Sequence, residues 1–149
     1  VPLLGAIDRP VSTDDWRGLP PGAGAVLEAL AARPDTRPMW RARALEGLAI
    51  LGTDGALHAR LAADAATPFV VRFAALSALP AVLPAEKAQL TLGALLASDP
   101  DRRVRAAAAD ALARTAPAHG CGAIRAQAAR EGTEGRFAFR HALTACGDR

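Results

Sequence analysis

The chain has 149 residues, a length that suits one domain with a sizeable core. It is 51% hydrophobic and only 4% aromatic, and its 18 basic against 15 acidic residues leave a formal charge of +3. So modest an excess is not in itself a nucleic-acid signature, and no run approaches the roughly 18 apolar residues of a membrane span.

Ala, Leu and Arg dominate, and all three favour helix. β-branched residues are scarce and no stretch alternates apolar with polar residues, so an all-α chain is expected. Because the chain begins at Val1 without an initiator Met, removal of an upstream segment is expected. Residues 1–24 read as an extended N-terminal arm, broken by Pro2, Pro10, Pro20, Pro21 and several glycines. Within it, Ser12 to Asp15 can cap one short turn whose Trp16 anchors the arm on the first repeat.

From Ala25 onward two kinds of helix alternate. First helices are expected near 25–33, 54–66, 85–98 and 121–132. Second helices are expected near 37–51, 68–79, 102–117 and 136–147. Thr36, Thr67 and Asp99 stand where N-caps are wanted, with Pro68 and Pro100 just behind two of them. Pro80 should end the second helix of repeat two near Leu79. Gly52, Gly120 and Gly132 read as C-terminal stops.

The period is the strongest signal. Second helices align on Ala44, Ala75, Ala108 and Ala142, at intervals of 31, 33 and 34 residues. The next column is Leu45, Leu76, Ala109, Leu143. A small column, Gly47, Ala78, Ala111, Ala145, is followed by Leu48, Leu79, Leu112, Cys146. Four before the anchor stand Trp40, Val71, Val104, Ala138. These offsets lay one apolar stripe on each helix, and no helix pair can bury its stripe alone, so the units must stack. Repeats are placed near 25–52, 53–84, 85–119 and 120–149.

One polar column joins the stripe. Arg41, Arg72 and Arg105 each precede the anchor by three, and Asp35 and Asp99 lie six before two of them. A ladder of carboxylate–guanidinium bonds along the stack is expected. Phe139 replaces Arg in the fourth repeat, as in an end cap.

The Asp-Pro turn of DPDRRVRAAAADALAR (99–114), its Val-Arg pair and its Ala-Leu column resemble HEAT repeats. The short period is similar to the HEAT-like class first associated with phycobilin lyases. The resemblance covers about 25–147. It implies a right-handed α-solenoid of about four antiparallel helix pairs, in a family of mostly protein-binding scaffolds, with the second helices lining the concave face. A non-catalytic role is expected.

Cys121 and Cys146 lie equally far from the expected turn of the last hairpin, which suits a disulfide and hence an extracytoplasmic compartment. Two buried thiols, or a zinc site with His119 and His141, are the alternatives. The spacing of five between His141 and Cys146 opposes the metal, so none is expected, nor any cofactor. His58 has no ligand-spaced partner and reads as a solvated or partly packed residue. No Ser, His and Asp set suggests a nucleophile. The open second-helix face is expected to bind a partner protein through Arg43, Glu46, Arg103, Asp110 and Arg114, in a monomeric chain. The competing reading uses the same arginines for nucleic acid or another polyanion.

Overall fold

The structure, a computed structural model, describes residues 13–148. The arm before Thr13 lies outside the described residues, as does Arg149. The described residues are all-helical: ten helices and no strand. They fall into two compact units, the first ending at Val82 and the second beginning at Leu83.

The first unit holds α1 (Thr13–Arg17), α2 (Ala23–Ala32), α3 (Pro38–Leu51), α4 (Ala56–Ala63) and α5 (Phe69–Val82). Helices α2 and α3 pair, α4 and α5 pair, and α3 packs on α5. The second unit holds α6 (Ala85–Ser98), α7 (Arg102–Thr115), α8 (Pro117–Arg130), α9 (Gly132–Ala138) and α10 (Arg140–Ala145). Here α6 pairs with α7, α7 with α8, and α10 returns onto both α7 and α8. Within each unit helices pack on their neighbours in chain order, the stacking that an all-α solenoid requires.

The aligned columns are the core. Ala44, Ala75, Ala108 and Ala142 are all buried, and so are Leu45, Leu76, Leu48, Leu79 and Leu112. Each large member contributes roughly 1.5–3 kcal/mol by leaving water. The fourth repeat departs from the pattern: its second helix is not continuous over 136–147 but breaks at Phe139 into α9 and α10. Phe139 itself is fully buried, while Ala145 of the small column is exposed.

The arm is not extended throughout. Residues 13–17 form α1, and α2 begins at Ala23. Trp16 is buried, and a Cβ added to Gly47 would come within 2.6 Å of its ring. Gly47 therefore stands where other repeats carry Ala because the indole occupies that space.

Three expected stops differ. Helix α5 passes through Pro80 to Val82. Pro removes one amide bond and costs about 3 kcal/mol in a helix interior. Burial of Val82 at its end offsets part of that, at roughly 1.5–3 kcal/mol. Gly120 lies inside α8, where it is buried against Leu112. Pro117, at the first helical position, starts that helix earlier than expected. Gly132 keeps a positive φ of 68° but opens α9 rather than closing α8.

Thr36, Thr67 and Asp99 are not the caps expected of them. Asp101 caps α7 by accepting the Arg103 amide, whereas Asp99 closes α6 and accepts the Asp101 amide at 2.9 Å. The Thr67 hydroxyl donates to the Asp64 carboxylate. Of the expected stops, Gly52 holds, closing α3 in the left-handed region at φ 82°.

Candidate functional site

Arg41 and Arg72 of the Arg column are buried and Arg105 is part-buried, but their acceptors differ from those expected. Arg41 is 3% exposed, and its Nε donates to the Ala31 carbonyl at 2.9 Å. Arg72 donates through Nε and Nη2 to the Ala62 carbonyl. Both carbonyls end the preceding first helix, where backbone oxygens lack intrahelical partners. Asp35 is not Arg41's partner; it binds Arg33, two residues away, at 2.7 Å on the exposed surface. Arg105 donates to the backbone oxygens of Asp99 and Pro100.

Carboxylates do face this column, from a position that the sequence spacing hid. Asp64 and Glu131 stand at the C-caps of α4 and α8. Bonds from the Thr67 hydroxyl and the Ala66 amide lower the pKa of Asp64, and the fields of Arg72 and Arg41 add to them. Glu131 is bound more firmly. Its Oε1 accepts from Arg105 Nε at 2.7 Å and from Gln127, and its Oε2 accepts from Arg105 Nη2 and Arg102 Nε, each at 2.9 Å. The Arg105 bonds, with Gln127 and Arg102 behind them, hold the Glu131 carboxyl down to about 2.

Cys121 and Cys146 form a disulfide with a Cα separation of 5.6 Å. Cys121 is the fifth residue of α8 rather than its first, and Cys146 follows α10. Arg125 ties down the same end, donating to the Cys146 carbonyl at 2.7 Å and to both Asp148 carboxylate oxygens at 3.0 Å. Among the described residues no three His, Cys, Asp or Glu side chains come together as metal ligands.

The expected binding residues take several roles. Arg43 and Glu46 pair with each other at 2.7 Å on α3. Together with Met39, Ala42, Ala49, Val70, Phe73, Ala74, Ser77 and Ala78 they line a hollow of about 460 Å³ between α3 and α5. Both are second helices, and the hollow is apolar apart from that pair and Ser77. Met39 is 58% exposed and Phe73 47%, although Phe73 also meets Phe69.

In the second unit, Arg103 folds onto Asp101 and so belongs to the start of α7. Asp110 is not on an open face. It is part-buried; burial pushes its pKa up, while His141, Arg114, the Ala142 amide and Arg140, all but Arg114 on α10, oppose the rise. Arg114 is exposed.

His58 also departs from expectation. It is fully buried, with Nε2 2.9 Å from the Leu45 carbonyl, so Nε2 carries the proton in the neutral ring. Its Nδ1 is buried without a hydrogen-bond partner, and burial lowers the pKa of the ring. Here α4 presents a tie to α3 that no motif marks.

The chain matches no protein-family model, no curated protein and no solved structure.

Proposed function

We propose that this chain is a HEAT-like helical-repeat scaffold, non-catalytic, that binds a segment of another protein along its second helices. The observation that carries this reading is the hollow between α3 and α5, flanked by the half-exposed side chains of Met39 and Phe73. Large apolar side chains exposed together cost solvation without stabilising the fold, which is the signature of a surface held open for a partner. The Arg43–Glu46 pair at the rim supplies polar contacts of both signs, and an apolar side chain of the partner would fill the hollow. The disulfide supports an extracytoplasmic setting, since such bonds persist in oxidising compartments.

The test is site-specific photocrosslinking. A photoreactive residue at Phe73 should capture a discrete protein partner from the native source. The same residue placed at Leu90, also exposed but on α6, should not capture it. Equal capture at both positions, or capture that survives Met39→Asp, would overturn the assignment.

A further inference from the structure

A second cavity lies wholly within the last hairpin. It holds about 450 Å³ and is lined by Arg125, Arg136, Arg140, Thr144 and Asp148 around an apolar floor of Ala128, Ala129 and Leu143. Three guanidinium groups thus share the lining with one carboxylate. Arg125 binds that carboxylate with its Nε 3.0 Å from each oxygen. Arg140 stacks over the Phe137 ring at 4.5 Å and donates to the Phe137 carbonyl rather than to Asp148. Arg136 forms no ion pair with an acid among the described residues and stands exposed on α9, four residues before Arg140. The walls are fixed: the disulfide joins α8 to the end of α10, and Arg125 is anchored on the Cys146 carbonyl.

We propose that this cavity binds the carboxylates of an acidic, partly apolar protein segment, at a site separate from the α3–α5 hollow. The chain's own Asp148 shows that a carboxylate fits one of the three arginines, and the other two offer planar forks of matching geometry. The Ala and Leu floor suits an aliphatic side chain next to the acid. No aromatic side chain lines the cavity, so it lacks the stacking platform that single-stranded nucleic acid uses.

Fluorescence anisotropy at low salt tests this with a labelled short peptide of alternating leucine and glutamate. The leucine–glutamine peptide and an oligothymidylate of equal length are the comparison probes. The glutamate peptide should bind and the glutamine peptide should not. Arg136→Ala with Arg140→Ala should weaken binding by about tenfold or more, as loss of charge-assisted bonds implies. Both positions are exposed, so the variant should keep its helical circular dichroism. Arg17→Ala with Arg60→Ala removes the same charge elsewhere and should change affinity less than about threefold at the same salt. Absence of peptide binding, equal weakening by the two double variants, or oligothymidylate binding as tight as the peptide's and lost with Arg136 and Arg140 would each overturn the proposal.

Discussion

Glu131→Gln isolates the strongest electrostatic contact in the described chain. The wild-type side chain is only 10% exposed and meets two guanidinium groups, that of Arg105 at 15% exposure and that of Arg102. Its carboxyl falls from an ordinary 4.5 to about 2. At about 1.4 kcal/mol per pH unit this corresponds to about 3 kcal/mol of stability, an upper figure because Arg102 is partly open to solvent. For an acid depressed in the folded state, that stability is complete above the unfolded value near 4.5. It is lost as pH falls towards 2. Glutamine keeps the shape and one acceptor oxygen but not the charge. Urea unfolding followed by circular dichroism, at intervals from pH 7 to pH 2, should therefore show two curves that converge. Near neutrality the variant should be about 2–3 kcal/mol less stable, and by pH 2 the gap should nearly close. The other depressed carboxylates, Asp35, Asp64 and Asp148, are common to both proteins and drop out of the difference. Parallel curves, or a gap below about 0.5 kcal/mol at pH 7, would refute the reasoning.

Three further outcomes are expected. His58, buried with Nδ1 unpartnered and its pKa lowered, binds its proton more readily when unfolded; stability should fall as pH drops below about 6.5, and His58→Gln should remove that component of a pH titration of unfolding. Among its surroundings, the Leu45 carbonyl and Asp54 favour the charged ring but do not outweigh burial. Gly47→Ala should cost about 1–3 kcal/mol by driving a methyl into the Trp16 ring, and the cost should vanish in a Trp16→Ala background; a thermodynamic cycle without that coupling would show that the indole is not the obstacle. Cys121→Ser with Cys146→Ser opens a loop of sequence separation 25, for which the chain-entropy relation gives about 3.5 kcal/mol, readable as a lower denaturation midpoint of the non-reduced protein.

Much of the fold is legible in the sequence because helix burial repeats with the helical period. The buried Ala and Leu columns follow from offsets of one, three and four around an anchor, and those offsets survive changes of turn length. Turn contacts do not survive them. Asp64 lies eight residues before Arg72 while Asp99 lies six before Arg105, so aligning on the Arg column puts the carboxylates out of register. Aligning on the ends of the first helices instead brings Asp64, Asp99 and Glu131 into one column of C-cap residues, a signal that was present but read from the wrong end. His58 and the Arg125–Arg136–Arg140 cavity left no comparable trace. The first depends on a carbonyl thirteen residues away, and the second on a helix that breaks at Phe139. The candidate surface was legible only in part. Arg43 and Glu46 line the hollow, but its exposed apolar side chains, Met39 and Phe73, were not picked out by charge, and Asp110 is taken up in packing against α10.

The repeated arginine is best understood as a helix cap supplied by the following helix. In the first two repeats the guanidinium reaches a carbonyl ten residues earlier, Ala31 for Arg41 and Ala62 for Arg72. The side chain thus closes the end of one helix while its aliphatic stem fills the seam between that helix and its own. In the third repeat the turn between the two helices is two residues shorter, running from Ser98 to Arg102 where the second repeat runs from Ala63 to Phe69. Arg105 shifts to the oxygens of Asp99 and Pro100 and takes Glu131 as a counter-ion. In the fourth, the Glu131 amide donates to the Gln127 carbonyl and α9 begins directly at Gly132. An apolar ring can then occupy the seam fully buried. Burying a charge at that position without an acceptor would cost several kcal/mol, a cost that the apolar ring avoids.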